Sequence, residues 1–583
     1  MRRKASEHQG GRAKGGTNNV LSFTGPEQLR THNETNHHQE QGTDRDQDFV
    51  KHQNVPEDGT VMLILSLKEG HDGGVAAIED GKLLFALEPE KDNFPRYDRV
   101  TGEVLLAAAS MIPRQPDVVA IGGWVKGFHS VEPPSRTGYF GVGDGSISDE
   151  AGKFFGRDVR IFSSTHERSH IMSSYGMAPP VAGQAYYGLV WEGNIGSFYR
   201  IDERGNVTHL KHVLSDPGNK YAYLFALADP KFPVKKGLLR YNDAGKQMAL
   251  TGFAQKGPVS KAEQETIDFI LKQEGIILGL SKDDMKWSPV HNSGVESQVY
   301  RNIAAKFSDA IFNRFHDYAV ANLTEGLPLL ISGGCGLNCD WNSMWRESGL
   351  FSSVFVPPCP NDSGSALGTA IDAQWYYTGE ASISWDVYAG EEFVEDAQPD
   401  PAKYVSRKLV AADVAQYVEK GNIIAWARGR YEMGPRALGN RSILAAPFTS
   451  DTTVRLNKIK QREGYRPIAP ICLEADADKW FVGSVQDPYM LFFNQVTSDD
   501  LKAVTHVDGS ARTQTVTRER NAAMVDVLEA FKEITGYSVL CNTSLNFSGR
   551  GFINRTSDLI KYGEEHGLDG YVINDTFVTP RTR

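Results

Sequence analysis

Positively charged side chains are concentrated in the last third of the chain, around the glycine-bent stretch GRYEMGPRALGNRSILAAPF. They are Arg430, Arg436, Arg441, Lys458, Lys460, Arg462 and Arg466. Guanidinium groups are planar, forked and permanently charged, and glycine lets backbone N–H groups approach an anion closely. Because the net charge of the whole chain is −11, this concentration predicts a specific anionic ligand, a phosphate or a carboxylate. A solvated arginine-rich turn is the alternative.

A second group of residues has the spacing of metal ligands. His166 and His170 lie four residues apart in the stretch STHERSHIMSSYG. In a helix this spacing places both imidazoles on one face, within reach of a single ion. The pattern H-x-x-x-H also occurs by chance in many helices, so two ordinary helical histidines are the alternative.

Strand and helix signals describe the elements that must position these groups. The apolar runs Val61–Leu67, Val75–Asp80 and Leu83–Glu88 are separated by glycine turns and predict a β-meander. A long amphipathic helix is predicted over 299–322, at the end of a region (200–325) that reads as an insertion.

Three stretches together resemble a known family. They read GRYEMGPRALGNRSIL, NKIKQREGYRPIAP and NTSLN. They look like the signature of the NodU/CmcH-type O-carbamoyltransferases, which include the enzymes that carbamoylate tobramycin and cephalosporins. The match extends from about residue 60 to about residue 580.

The resemblance implies an α/β architecture in two parts. Residues 59–398 are expected to form an actin-like ATPase domain, similar to the threonylcarbamoyl-transferases, and residues 399–583 a smaller YrdC-like α/β domain. A chain of 583 residues is too long for one core, which agrees with this division. Residues 1–58 are polar and poor in aliphatic side chains, which predicts a disordered tail.

The resemblance also implies a metal site in the first domain. His166 and His170 match the two histidines that hold a catalytic metal in these enzymes, and Asp362, in NDSGSALG, matches an aspartate ligand. Where the family has a strand aspartate, this chain has Glu192, whose carboxylate has one more methylene of reach. Mixed imidazole and carboxylate ligation suits Fe²⁺, Mn²⁺ or Zn²⁺ better than Mg²⁺. Among these the resemblance implies Fe²⁺, with Mn²⁺ or Zn²⁺ as alternatives.

Two further loops receive roles from the resemblance. His71 and Asp72 match the family's H-D loop, and His71 is implied at the acceptor hydroxyl as a general base, which suits an imidazole titrating near neutrality. A surface turn histidine is the alternative. The nucleotide-binding residues implied in this domain are Gly333, Gly334, Asn338, Asn342 and Gly364.

In the second domain the resemblance implies a site for carbamoyl phosphate and for ATP with Mg²⁺. The cationic residues named above belong to this site, together with Arg512, Asn542, Ser544 and Asn546. The family reaction there gives carbamoyl adenylate, which passes to a small-molecule hydroxyl acceptor in the first domain. Arg550 stands where the family has a glutamate, a local change of two charge units.

The composition of the chain limits which partners and which cellular location are expected. With a sequence pI near 5.8, general nucleic-acid affinity is not expected. No apolar run approaches ~18 residues, which argues against a membrane span. Five cysteines, an odd number, fit a reducing cytoplasm, and Cys335 and Cys339 are predicted to be buried structural thiols. The sequence leaves a homo-oligomer open.

Three other functions compete with the carbamoyltransferase prediction. A tRNA threonylcarbamoyladenosine-type enzyme uses the same two folds but needs a tRNA surface, for which the acidic balance gives little support. An actin-like kinase would explain the first part of the chain and leave the arginines unused. A non-catalytic scaffold is the third alternative, since Glu192 and Arg550 both depart from the family pattern.

Overall fold

The computed structural model describes residues 61–124, 136–255, 257–275, 279–483 and 486–581, and the backbone of a short strand at Leu21–Ser22. That strand pairs antiparallel with Leu238–Leu239. The rest of the predicted tail, 1–58, lies outside the described residues. None of the helices in these ranges combines the length and the apolar character that crossing a membrane requires.

The first sheet opens with the predicted meander. Its six strands, in spatial order, are Lys82–Leu87, Gly74–Glu79, Leu63–Lys68, Val118–Gly122, Arg157–Ser164 and Ile147–Phe154. The first three strands run antiparallel, and the fourth and fifth run parallel to the third. The third strand is buried almost throughout because neighbours cover it on both sides, as its apolar sequence LILSL requires. The helix Gly102–Met111 connects the meander to the fourth strand.

The second sheet repeats this order. Its five strands, in spatial order, are Val207–His212, Gly196–Ile201, Tyr186–Trp191, Leu329–Ser332 and Val354–Phe355. Again three antiparallel strands are followed by strands parallel to the third. The repeated arrangement of a meander and parallel strands confirms the α/β class and the actin-like architecture expected for this part of the chain.

Two helices pack between the sheets, His166–Met177 and Ser365–Thr378. They approach closely at Gly368, where an added Cβ would lie 1.8 Å from the carbonyl oxygen of Ser169. Arg168 donates two hydrogen bonds to Asp372 across this contact, at 2.9 and 2.6 Å, and both side chains are buried. The pair fixes one helix relative to the other, and breaking such a buried pair costs about 3–5 kcal/mol.

The predicted insertion forms a helical layer beside the second sheet. Its helices are Pro217–Ala228, Asn242–Thr251, Lys261–Lys272 and Gln298–Asn322, and Cys339–Glu347 packs with them. The long amphipathic helix thus begins one residue before its predicted start. Trp191 of the sheet stacks on Trp341 with ring centroids 4.5 Å apart, which joins the layer to the sheet.

The last third of the chain forms an eight-stranded mixed sheet. Its strands, in spatial order, are Tyr404–Lys408, Thr576–Pro580, Gly570–Ile573, Ile424–Ala427, Arg441–Ala445, Val539–Ser544, Ala469–Leu473 and Gln514–Val516. The helices here are Ala411–Glu419, Ser450–Ile459, Ala477–Trp480, Arg518–Thr535 and Thr556–His566. Three short strands, Phe481–Val482, Asn494–Val496 and Ser510–Ala511, form a separate small sheet. The α/β character expected of this part is confirmed.

Candidate active site

Two histidines and two carboxylates converge between the two sheets of the first part. His166 and His170 are in the first turns of helix His166–Met177, Glu192 follows strand Tyr186–Trp191, and Asp362 precedes helix Ser365–Thr378. One ligand atom of each residue lies within 4.8 Å of the others, and all four residues are buried. The structure therefore brings together the four residues that the sequence predicts as metal ligands.

The chemistry of these donors fits a divalent transition metal. The Nε2 atoms of His166 and His170 are 3.1 Å apart and lie 3.5 and 3.4 Å from Oδ1 of Asp362. Burial lowers the pKa of His166 to about 4, so its imidazole is neutral at pH 7 and can offer a lone pair. Burial alone would raise the pKa of Asp362, but Lys68 and His166 hold it well below its usual range, so it is a carboxylate.

Glu192 is oriented by Tyr139. The Tyr139 hydroxyl donates to both carboxylate oxygens, at 2.9 and 3.1 Å, and its ring stacks on His166 with centroids 4.3 Å apart. Burial and the charge of Asp362 raise the pKa of Glu192. A cation between the two carboxylates would offset this repulsion, which is a second reason why the cluster fits a metal.

His71 lies beside the cluster, in the turn between the first two strands of the meander. Its Nδ1 atom is 3.4 Å from Oδ2 of Asp72 and 3.8 Å from Oδ2 of Asp362. Its ring packs edge-on against Trp124, with centroids 5.3 Å apart. The imidazole is about a quarter exposed and faces the cavity described next, so it is accessible to a ligand there.

A cavity of about 340 Å³, called here the central cavity, connects this cluster with the last third of the chain. From the first part of the chain, its lining includes His71, Asp72, Glu192, Gly334, Asn338 and Asp362. The predicted anion-binding residues in its lining are Arg436, Arg462, Arg466, Arg512, Asn542 and Ser544. The two predicted sites thus open onto one shared space.

Two larger cavities adjoin the central one. The outer cavity, of about 680 Å³, is lined by His71, Lys460, Arg462, Arg466, Ser544 and Asn546, among others. The side cavity, of about 710 Å³, includes Arg462, Arg466 and Arg512 in its lining. Arg462 and Arg466 line all three cavities and therefore stand where the three meet.

The cations that line these cavities repel one another. Burial and the charge of Arg512 lower the pKa of Arg436 to about 10, and burial and Arg466 lower that of Arg462 to about 9. Burial, Arg462 and Arg466 also hold the pKa of Lys460 well below its usual range. A bound polyanion would relieve this repulsion, so the arrangement is suited to phosphates.

Three of the predicted anion-binding residues are not brought to these cavities. Arg430 donates to the backbone carbonyls of Gly390 and Ala389, both at 2.6 Å. The fully buried Arg441 donates to the carbonyls of Arg428 and Gly429 and to the side chain of Asn554. Lys458 is exposed on the helix Ser450–Ile459.

For these three, the prediction of anion binding is therefore corrected. Arg430 and Arg441 hold the arginine-rich loop in shape, because backbone carbonyls inside a folded loop need donors as much as a ligand does. Lys458 lies on the exposed face of its helix and lines none of the three cavities, so its side chain is in solvent.

The residues predicted to bind a nucleotide in the first part also divide into two groups. Gly334 and Asn338 line the central cavity, and Asn338 caps helix Cys339–Glu347 by accepting from the backbone N–H of Asp340 at 3.1 Å. Gly333 and Gly364 serve the backbone, since an added Cβ would lie 2.4 Å from the Trp191 carbonyl oxygen and 2.0 Å from that of Cys359. Asn342 is fully buried and donates to the carbonyls of Gly336 and Leu491, which places it in the packing behind the cavity.

Comparison with protein families matches both parts of the chain. The carbamoyltransferase N-terminus model matches residues 150–371, and the carbamoyltransferase C-terminus model matches residues 415–580. The chain belongs to the carbamoyltransferase family. The resemblance drawn from the sequence motifs is confirmed, and with it the expectation that this protein is a transferase.

Individual relatives agree with this family. The chain is 49% identical to the 3'-hydroxymethylcephem-O-carbamoyltransferase of Amycolatopsis lactamdurans, over 88% of this chain and 99% of that protein. It is 34% identical to nodulation protein U of Rhizobium tropici, over 86% and 94% of the two chains. A solved structure, the activator of the 2-hydroxyisocaproyl-CoA dehydratase from Clostridium difficile, matches 55% of this chain and 96% of its own with 12% identity and a TM-score of 0.31.

Two polar residues of this carbamoyltransferase's site were missed by sequence reasoning. Lys68 is buried, and its Nζ lies 3.0 Å from Oδ2 of Asp362 and also donates to the carbonyl of His71. A lysine at the end of the buried run LILSL was a usable signal, because a buried lysine needs a charged partner. Tyr139, which orients Glu192, gave no such signal, since tyrosine in a glycine-rich loop is ordinary.

Proposed function

We propose that this carbamoyltransferase forms carbamoyl adenylate from ATP and carbamoyl phosphate and then transfers the carbamoyl group to a hydroxyl of a small molecule. The observation that carries the proposal is the central cavity, which is lined by His71, by the two carboxylates of the metal-ligand cluster and by four arginines of the last third. An anionic, water-sensitive intermediate formed at the arginines can meet the acceptor without leaving the protein.

The first step belongs to the last third of the chain, the proposed domain 399–583. Carbamoyl phosphate and water give carbamate and phosphate, and a carbamate oxygen then attacks the α-phosphorus of ATP, so that pyrophosphate leaves. Arg462 and Arg466 would bind the two phosphorylated substrates, supported by their place where the three cavities meet and by their mutual repulsion, which a polyanion relieves. Lys460 donates to the carbonyl of Asn546 at 3.2 Å and to its side chain at 2.5 Å, so it holds the lining of this site. Removing the repulsion between two anionic reactants is the main task of this site.

The second step belongs to the proposed domain 59–398. The acceptor oxygen attacks the carbamoyl carbon, the bond between that carbon and the phosphate oxygen breaks, and AMP leaves. His71 takes the hydroxyl proton, supported by its place in the central cavity and by the carboxylates of Asp72 and Asp362 near its Nδ1 atom. A divalent metal, Fe²⁺ in the first instance, held by His166, His170, Glu192 and Asp362 would supply Lewis-acid polarisation of the reacting group.

The acceptor class follows from the relatives. Since a protein 49% identical over 99% of its length is named for a 3'-hydroxymethylcephem, a cephem hydroxymethyl group is the first acceptor to test. The second is a hydroxyl of a sugar. ATP and carbamoyl phosphate as substrates are consistent with a reaction in the cytoplasm.

The proposal is tested by isotope exchange and product mass. The protein is incubated with ATP, labelled pyrophosphate and carbamoyl phosphate, and label should enter ATP only when carbamoyl phosphate is present. Adding a 3'-hydroxymethylcephem should then give a product heavier by about 43 Da, the mass of one carbamoyl group. Arg466→Gln should slow the exchange about a hundredfold, whereas Lys458→Gln, a change to a cation on the exposed face of a nearby helix, should leave it unchanged.

Two results would contradict this function. Exchange of pyrophosphate into ATP without carbamoyl phosphate would show that the adenylate formed is not carbamoyl adenylate. A product carrying a phosphoryl group, formed from ATP alone, would replace the carbamoyl transfer by kinase chemistry on the same fold.

A further inference from the structure

A segment of the first part of the chain, residues 88–99, contributes to the lining of the central and outer cavities and contacts the last third of the chain. Its backbone is joined to residues 549–552: the N–H of Gly551 donates to the carbonyl of Phe94 at 3.0 Å, and Arg550 donates to the carbonyl of Asn93 at 2.9 Å. The approach is close, because an added Cβ on Gly551 would lie 1.8 Å from the Glu90 carbonyl oxygen. Arg550, the residue that departs from the family pattern, thus holds this segment in place.

The same segment is joined to the loop that carries His71. The backbone N–H of Asp72 donates to the carbonyl of Tyr97 at 3.3 Å, and that of Gly73 donates to the carbonyl of Asp98 at 2.9 Å. Residues 96–98 therefore adjoin the loop of the proposed general base and line the outer cavity together with His71, Arg462 and Arg466. A side chain here has access to both steps of the reaction.

Arg96 is the cation at this place. It lines both the central and the outer cavity, as do Arg462 and Arg466. Its Nε donates to Oε2 of the buried Glu90 at 3.3 Å, and the same oxygen accepts from the backbone N–H of Tyr97 at 3.2 Å. Glu90 thus fixes the direction in which the guanidinium points.

The positive charge of Arg96 acts on cations of the last third of the chain. After burial and nearer cations, Arg96 is among the groups that lower the pKa of Arg436 and of Lys460. Among the described cations that line the central cavity, Arg96 alone comes from the first part of the chain; the others are Arg436, Arg462, Arg466 and Arg512. Its backbone neighbours, unlike theirs, are bonded to the His71 loop.

We propose that Arg96 is a catalytic residue of the second step, which binds the phosphate of carbamoyl adenylate and stabilises AMP as it leaves. This inference rests on the proposed function. When the acceptor oxygen bonds to the carbamoyl carbon, the bond from that carbon to the phosphate oxygen breaks, and that oxygen takes the electron pair. A fixed guanidinium beside the oxygen stabilises this charge, while the hydroxyl proton goes to His71.

The test separates the two steps in Arg96→Gln, Arg96→Lys and a control, Arg157→Gln. Arg157 is exposed on the strand Arg157–Ser164 and lines none of the three cavities. The first step is measured as exchange of labelled pyrophosphate into ATP with carbamoyl phosphate present. The second is measured as AMP-linked carbamoylation of a 3'-hydroxymethylcephem and, independently of any acceptor pocket, of hydroxylamine, which gives hydroxyurea.

The expected result is a loss confined to the second step. In Arg96→Gln the kcat for both nucleophiles should fall about a hundredfold, as when one donor to a developing oxyanion is removed, while exchange changes by less than about twofold. Arg157→Gln should behave like the unaltered protein in both assays. Arg96→Lys, which keeps a cation beside Glu90, should fold normally and recover part of the lost rate.

Other outcomes overturn the inference. If Arg96→Gln and Arg96→Lys lose exchange and transfer to the same extent, Arg96 serves the first site only. If transfer is unchanged in Arg96→Gln, the residue has only a structural role. If Arg96→Gln fails to fold, the comparison rests on Arg96→Lys, whose unaltered transfer rate would also overturn the inference. Absence of exchange in the unaltered protein would instead contradict the proposed function itself.

Discussion

The Nζ atom of Lys68 lies 3.0 Å from Oδ2 of Asp362, and both side chains are buried. The other carboxylate oxygen of Asp362 faces His166 and His170. Lys68 therefore supplies a positive charge to the carboxylate oxygen of Asp362 that does not face the two histidines. Replacing it by methionine leaves a buried carboxylate without this partner.

Lys68→Met should lower the free energy of unfolding of the metal-free protein by about 3 kcal/mol, because one partner of a buried ion pair is removed. A bound divalent metal should restore part of this loss, since it offsets the charge of Asp362 from the other side. Urea unfolding with and without Mn²⁺ measures both values.

The matched control for this change is Lys153→Met. Lys153 pairs with Asp158 at 2.6 Å, but both side chains are mostly exposed, at 66% and 89%. An exposed pair is worth roughly 0–1 kcal/mol, and Mn²⁺ should have no effect on this variant. An equal loss of unfolding free energy in the two variants would show that the buried ion pair of Lys68 with Asp362 stabilises the protein no more than an exposed pair does.

Metal binding should depend on His170 and should be needed for the second step only. His170→Ala should lose bound metal, measured by elemental analysis, and should lose transfer to the acceptor, because a ligand of the cluster is missing. Exchange of pyrophosphate into ATP should persist, since it takes place at the arginines. His209→Ala, an exposed histidine on the strand Val207–His212, is the control and should retain both. Loss of exchange in His170→Ala would contradict two separate sites.

How far the sequence predicts this site depends on the kind of residue. His166, His170 and Asp362 could be found because their motifs are local, and helix geometry alone places the two histidines together. Glu192 could be found only through the family resemblance, because a glutamate after a strand carries no distinctive pattern. The meander of the first sheet was equally accessible, since apolar runs and glycine turns are local signals.

The arginine-rich loop shows what sequence cannot decide. Arg436 and Arg441 lie five residues apart in one motif, yet Arg436 lines the central cavity and Arg441 is buried among backbone carbonyls. Which arginine faces a ligand depends on how the loop folds over strands far away in the chain. The ion pair of Lys68 with Asp362 joins residues 294 apart, so no local signal could contain it.

Arg441 and Arg466 should therefore differ sharply when each is replaced by glutamine. Arg441→Gln should lower the free energy of unfolding by about 3 kcal/mol or more, since several buried carbonyls lose their donor. Arg466→Gln should change unfolding by less than about 1 kcal/mol but slow the exchange reaction about a hundredfold. Urea unfolding and the exchange assay on both variants decide this. If Arg441→Gln instead slowed the exchange reaction and left unfolding nearly unchanged, Arg441 would be a ligand of the anion after all.

The pH dependence of stability should contain a contribution from Asp487. This buried carboxyl accepts hydrogen bonds from the backbone N–H groups of Leu491 and Phe492, both at 2.8 Å, in a loop that docks on helix Cys339–Glu347 through Asn342. Burial raises its pKa to about 6. Because the folded state binds this proton more tightly than the unfolded state, the stabilisation is complete below about pH 4 and is lost as the pH rises through about 6.

Asp487→Asn removes this titration while keeping an oxygen that accepts the same hydrogen bonds. The variant should therefore gain stability relative to the unaltered protein between pH 4 and pH 8, by about 2–3 kcal/mol, which corresponds to a difference of about two pH units in pKa. Urea unfolding at both pH values measures the change. Asp499→Asn, which changes an exposed carboxylate, is the control and should show the same pH dependence as the unaltered protein. The opposite result would be a variant that is less stable than the unaltered protein by a larger margin at pH 8 than at pH 4. The folded state would then stabilise the carboxylate, and the pKa of Asp487 would lie below the usual range.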